Sequence, residues 1–356
     1  MIKSETQIHF FIPYYPRFTT GGNIYHSKIY EILKQKEENV KVFGDEPNFV
    51  IAEKSKIKKI IYGFKHTFKI PNKSVIVLTN TAFLHFLLPL FTVSFYKKHK
   101  YVIVIHHLLR FESPKKSVHF LESIFIRLIR NKITVSQTTA ENIKQQGLTK
   151  NDVLIVTPGL EYIPSYDYKR TNMRQIPQIL FVGNIEKRKS ITTVINALSE
   201  IKEFNYIFNI AGNISEEEYY KEIMELVNNN NLNDKIKHIG KLSSDELLWH
   251  YQNSDIMIFP SMWEGYGMVI AEAMANGLPV ISSDIPTSKE LIDDGVDGLL
   301  FKKGNHQELT RCIKKLYNDN ELYSRISENS IRRALSFNTW DTTTIKIHEF
   351  IKSTLR

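Results

Sequence analysis

The sequence predicts an α/β protein of two doubly wound, Rossmann-like domains, each built on a parallel sheet. Short apolar runs rich in β-branched residues alternate with helical patterns from end to end, the order expected of βαβ units. The 356 residues exceed one comfortable hydrophobic core and suit two. Residues 163–177 lack periodicity, contain Pro164, Pro177 and several charges, and divide the alternation as a linker would.

Ile8 to Ile12 reads as the first strand, and Gly21-Gly22 then precedes a helix over Asn23 to Lys36. Val75 to Leu78, Tyr101 to Ile105, Ile133 to Val135 and Val153 to Val156 are the next strands. Ala82 to Tyr96 is the most apolar stretch. It falls short of the ~20 residues that span a bilayer and holds His85 and Pro89, so a buried helix is expected. Beyond the linker, Ile179 to Val182, Tyr206 to Ile210, Ile236 to Ile239, Ile256 to Phe259 and Val280 to Ile281 are strands, and Ile191 to Leu198 is a helix.

The hydrophobic fraction, 42%, is ordinary for a globular protein and excludes wholesale disorder. Cys312 is the single cysteine, so no internal disulfide or cysteine-rich zinc site is expected. Phe10 to Ile12, cut by Pro13, is too short for a signal peptide, and a cytoplasmic location is expected. Charge is lopsided: residues 1–170 hold 26 Lys and Arg against 13 Asp and Glu, and the remainder 21 against 25. The first half should therefore face an anionic surface or substrate. A nucleic-acid binder is the alternative from another class, but no helix-turn-helix, RNA-recognition or zinc-finger pattern occurs, and no nucleic-acid partner is expected.

Residues 259–286, FPSMWEGYGMVIAEAMANGLPVISSDIP, carry the most chemistry. Glu264 and Glu272 stand eight positions apart around a turn, Gly265-Tyr266-Gly267, which opens a helix at Met268 and Val269. The N–H groups and positive dipole end of such a helix attract phosphate. Each carboxylate can accept hydrogen bonds from a vicinal diol. Phosphate and sugar hydroxyls together describe a nucleotide sugar. Gly183 ends the strand Ile179 to Val182, and the basic triplet Lys187-Arg188-Lys189 follows, with Arg188 and Lys189 suited to a diphosphate. Gly21-Gly22 and His106-His107 also lie at strand C-termini, where α/β folds bind ligands. Adjacent histidines on a strand point to opposite faces, so one of the two faces the ligand side.

The segment from Glu264 to Pro279, with its E-x7-E spacing, Gly-Tyr-Gly turn, Glu272-Ala273-Met274 and Gly277-Leu278-Pro279, resembles the retaining GT-B glycosyltransferases, most closely glycosyltransferase family 4. The resemblance implies two Rossmann-like domains facing a cleft, residues 1–165 binding acceptor and 175–336 binding the nucleotide sugar. It also implies a terminal helix, residues 337–356 with Trp340, crossing back onto the first domain. By the same resemblance Glu264 and His106 act on the donor sugar and Glu272 binds the ribose. Arg188 and Lys189 hold the diphosphate, and Gly21, Gly22, Gly183, Lys241, Leu242, Gly265, Tyr266, Gly267, Met268 and Val269 line the donor site. Family members often carry Arg directly after the glycine where this chain has Asn184.

No D-x-D triplet occurs, so transfer without metal or other cofactor is expected, from a UDP or GDP sugar to a glycan or lipid acceptor, in cell-envelope glycan synthesis. An epimerase or phosphorylase on the same scaffold is the alternative. Lys54 to Lys69 places Ile57, Ile60, Ile61, Phe64 and Phe68 at helical spacing among lysines, and Lys115 to Lys132 does so with Leu121, Ile124, Phe125, Leu128 and Ile129. Each stripe reads either as a core-facing side or as a peripheral contact with anionic membrane. Gly63 is expected to shorten or break the first helix.

Overall fold

The computed structural model describes residues 7–12, 21–37, 39–43, 56–201 and 204–355; Pro13 and Lys54, named above, lie outside these residues. The chain divides into two compact units, residues 1–159 with 338–356, and residues 160–337.

In the first unit β1 (Ile8–Phe11), β2 (Val40–Phe43), β3 (Val75–Thr79), β4 (Lys100–Ile105), β5 (Asn131–Thr134) and β6 (Leu154–Ile155) form a parallel sheet in the order β2-β1-β3-β4-β5-β6. Its helices are α1 (Gly21–Lys36), α2 (Lys56–Lys69), α3 (Phe83–Phe91), α4 (Val93–Lys97), α5 (Lys116–Leu128) and α6 (Gln137–Gln145). Tyr62 of α2, Phe83 and Phe86 of α3, and Phe125 of α5 share one core with Phe11, Ile76, Leu78 and Ile103 of the sheet.

In the second unit β7 (Gln178–Val182), β8 (Ile207–Ala211), β9 (Ile236–Gly240), β10 (Ile256–Phe259), β11 (Val280–Ser283) and β12 (Leu299–Phe301) form a parallel sheet ordered β12-β11-β10-β7-β8-β9. Around it lie α7 (Ile191–Ser199), α8 (Glu217–Asn229), α9 (Ser244–Asn253), α10 (Met268–Ala275), α11 (Pro286–Leu291), α12 (His306–Asn318) and α13 (Asn320–Ala334). The strand order reverses between β1 and β3 in one sheet and between β7 and β10 in the other. Such switch points leave a crevice at the strand C-termini.

The sequence pattern missed β2 and β12. Both are edge strands of four residues or fewer, paired on one side only, and such strands need little apolar patterning. Ala82 to Tyr96 is not one buried helix. It breaks at Thr92 into α3 and α4, and Leu88 and Phe91 are exposed. Lys115 to Lys132 is likewise α5 followed by the start of β5.

Gly63 does not break α2, which runs unbroken through it. A Cβ at residue 63 would lie 1.8 Å from the His85 carbonyl oxygen, so the glycine marks where α2 crosses the backbone of α3. The final helix, α14 (Trp340–Ser353), returns to the first unit. There the Thr343 hydroxyl donates to the Thr157 carbonyl at 2.9 Å, and Trp340 packs edge-on against Tyr25 with ring centroids 6.0 Å apart. Gly159 permits that approach: its Cβ would stand 2.2 Å from the Trp340 amide nitrogen.

Residues 163–177, expected as a linker, belong to the second unit. The Arg170 guanidinium donates to the carbonyls of Tyr251, Gln252 and Ser254 at the end of α9, and to that of Asn276 after α10, at 2.6–3.2 Å. Arg174 pairs with the buried Asp255 at 3.0 Å.

Gly63→Ala should gain ~1 kcal/mol of helix propensity but lose more to overlap, for a net destabilisation of about 2 kcal/mol. An unchanged or raised urea midpoint would contradict the crossing. Burial also lowers the pKa of His26 to about 3 and that of His85 to about 4. An unfolded chain binds those protons near 6.5 and the folded chain does not, so stability falls as pH drops below 6.5 toward the folded values. His26 alone should remove about 2 kcal/mol at pH 5 relative to pH 8. Thermal unfolding that is flat between those pH values would count against it.

Candidate functional site

At the switch point of the second sheet, β7 runs into Gly183 and β10 runs toward Glu264. After β7 the basic triplet forms one 3-10 turn, Lys187–Lys189, ended by Ser190 in the left-handed region at φ 50°. That turn directs both cations at one carboxylate. Arg188 Nη1 donates to Glu264 Oε1 at 2.7 Å, and Lys189 Nζ donates to the same oxygen at 2.5 Å. Arg188 also pairs with Glu186 at 2.6 Å and lies over the Trp263 ring at 4.7 Å. Lys189 is buried, with its ammonium over Phe259 at 5.1 Å.

Burial alone would raise the Glu264 pKa, but the Lys189 and Arg188 charges outweigh it and hold the carboxyl below its usual range. Two cations and two carboxylates thus balance in a partly dry corner. Gly183 leaves room for the pair: a Cβ there would stand 3.4 Å from Lys189 Cε. Gly212, which the sequence reading passed over, is required beside it, since its Cβ would lie 2.0 Å from the Gly183 carbonyl oxygen.

Gly265 and Tyr266 lead to Gly267, whose φ of 105° favours glycine and which caps α10 without a side-chain bond. The first-turn N–H groups at Met268 and Val269 have no preceding helical carbonyl. Glu272 lies on the second turn and is buried. Its Oε2 accepts from the Tyr251 hydroxyl at 2.8 Å, and Tyr162 packs edge-on against that ring with centroids 6.1 Å apart. Tyr251 and Tyr162 come from α9 and the segment before Arg170. No local pattern around Glu272 points to them. Trp263 was legible in principle as the aromatic neighbour of Glu264. Gly240, at φ 73°, is followed by an exposed Lys241 and a half-buried Leu242 ahead of α9, which the Ser243–Glu246 capping box opens.

In the first unit Gly21 and Gly22 form the first residues of α1 rather than a loop before it. A Cβ on Gly22 would sit 3.1 Å from His106 Cδ2, so the glycine allows the histidine ring to close on the helix start. His106 follows β4, and its ring meets those of His26 and Tyr25, each at 5.3 Å. The residue is half-buried, yet its Nε2 is enclosed and has no hydrogen-bond partner among the described residues. Burial, reinforced by the neighbouring His26 and His107, pushes its pKa well below 6.5, so the imidazole is neutral at physiological pH.

Its turn is held from behind. The Thr139 hydroxyl donates to the His106 carbonyl at 3.0 Å, and Asn80 donates to the His107 carbonyl at 2.9 Å. Glu122, buried on α5, accepts from the Leu109 amide at 3.1 Å and from Asn80 at 2.6 Å. His107 turns away to Glu112 at 2.8 Å. Among the described residues no three His, Cys, Asp or Glu side chains converge as a metal centre would require.

Residues 169–333 match the family described as glycosyl transferases group 1. An uncharacterized glycosyltransferase of Methanocaldococcus jannaschii is 33% identical over 162 residues, which cover 46% of this chain and 44% of that protein, less than half of either. Among solved structures, sucrose-phosphate synthase from Thermosynechococcus elongatus aligns at TM-score 0.80 and 18% identity over 98% of both chains. Anabaena HepE in complex with UDP-glucose aligns at TM-score 0.77 and 20% identity over 98% of this chain and 99% of that one. The chain therefore has the GT-B fold, and its residues 169–333 match the glycosyl transferases group 1 family.

Proposed function

We propose that the chain is a retaining, metal-independent glycosyltransferase of family 4 that moves a hexose from a nucleotide-diphosphate sugar to an acceptor hydroxyl of a glycan or lipid. The observation that carries this reading is the convergence of Arg188, Lys189 and Glu264 at the switch point beside the start of α10. Phosphate and sugar hydroxyls need opposite partners, and here they stand within one hydrogen bond of each other. The UDP-glucose bound by HepE supports a UDP sugar as donor.

In the reaction the bond from the sugar's anomeric carbon to the diphosphate oxygen breaks and one to the acceptor oxygen forms, while the acceptor hydroxyl's proton passes to the departing diphosphate. Charge grows on the departing diphosphate. Arg188, Lys189 and the first-turn N–H groups of α10 meet it without reorganising, which is where such sites gain most. A bound diphosphate competes with Glu186 and Glu264 for the Arg188 guanidinium, freeing the Glu264 carboxylate for the sugar hydroxyls. Glu272, oriented by Tyr251, takes the ribose diol. His106, a neutral imidazole in the first unit, is the proposed contact to the donor sugar. Protein cations take the place a divalent ion would fill. The acceptor belongs to cell-envelope glycan synthesis at the inner membrane face.

Glu264→Gln should lower kcat by roughly 100-fold or more, because its contact matters most in the transition state. Glu272→Ala should raise donor KM about tenfold with kcat little changed, because ribose is held equally in both states. Folded variants that both keep normal turnover would remove the assignment, and a product of inverted anomeric configuration by proton NMR would remove retention. Turnover should also survive EDTA. Loss on chelation, restored by magnesium or manganese, would require a metal in the donor site.

A further inference from the structure

We propose that the outer faces of α2 and α3 form a docking surface for an anionic phospholipid bilayer. The inference stands on the first unit alone and holds whichever sugar is transferred. On α2, Ile57, Ile61, Phe64 and Phe68 follow spacings of four, three and four residues, so at ~100° per residue they share one narrow stripe. That stripe does not face the core. Tyr62, Gly63 and Thr67 do, whereas Ile57, Ile61 and Phe68 are 69%, 58% and 56% exposed. The crossing at Gly63 lays α2 directly on α3, where Leu88 and Phe91 continue the apolar surface at 48% and 57% exposure. Lys97, at the end of α4, donates to the carbonyls of Phe68 and Ile70 and ties the ends of these helices together.

The charge around this surface has one sign. From Lys54 to Phe111 the sequence holds ten lysines and one arginine and no aspartate or glutamate. Lys58, Lys65 and Lys69 are exposed on α2 beside the stripe. A soluble helix buries its large apolar residues and leaves no such patch without a use. Nucleic acid would pair with the lysines and leave the isoleucines and phenylalanines in water. A bilayer surface satisfies both at once: acyl boundary for the stripe, anionic headgroups for lysines that can extend around it. Among the described residues no helix is long and apolar enough to cross a membrane, so the contact is peripheral.

The test is flotation of the full chain with vesicles of phosphatidylcholine alone or mixed equally with phosphatidylglycerol. Binding should be specific to the anionic vesicles and weaken in ~0.5 M salt. Lys58→Gln/Lys65→Gln/Lys69→Gln should lower the partition coefficient about 100-fold, at roughly fivefold per cation removed. Ile61→Ser/Phe91→Ser leaves the charge unchanged and should still cost roughly tenfold. Because these side chains are exposed, circular dichroism and thermal unfolding should match the parent. Failure to float at low salt, equal binding to neutral vesicles, or parental binding by the serine variant would each overturn the proposal. So would concentration-dependent self-association that the serine variant abolishes while vesicles bind nothing, since the surface would then belong to a second copy of the chain.

Discussion

One guanidinium organises the second unit of this protein. Arg170 leaves the segment before β7 and spreads its donors over carbonyls at the ends of α9 and α10. Those carbonyls are the ones a helix cannot satisfy internally, and they carry the negative end of each helix dipole. A planar fork with five N–H groups meets several at once, where an ammonium would meet few. The two helices so joined bear Tyr251 and Glu272, whose hydrogen bond exists only if their relative position is fixed. Arg170 touches neither side chain of that pair, yet its contacts set the distance between them.

The two glutamates of the E-x7-E segment then sit in opposite environments. Glu264 is held by two cations, which keep its carboxyl below the usual range. Glu272 is buried against a tyrosine hydroxyl, a neutral donor that orients an oxygen without neutralising it. The first arrangement suits a group that must exchange partners as charge moves. The second suits a fixed receptor for a diol. Sequence spacing alone treats the residues as equivalent; the tertiary partners make them different.

Much of this was legible because much of it is local. The glycine turn before α10, the basic triplet after β7 and the parallel strands each occupy a few consecutive residues whose spacing dictates their geometry. The pairing of Arg188 and Lys189 with Glu264 was not, because it joins residues 76 and 75 positions apart through the adjacency of β7 and β10. Tyr251 and Arg170 escaped for the same reason. Edge strands β2 and β12 escaped because pairing on one side asks little of their side chains. The apolar stripe of α2 was visible as a stripe, but its direction depended on Gly63, read in isolation as a weakness of the helix and found to be the crossing point that turns it outward.

The buried Glu122 lies on α5 two residues from Phe120, so one side chain holds the turn after His106 while the other, 65% exposed, projects into solvent. Two positions on a helix are separated by ~200° of rotation, and a rigid rod that bears both cannot move one without the other. Surface and turn therefore share a single mechanical body.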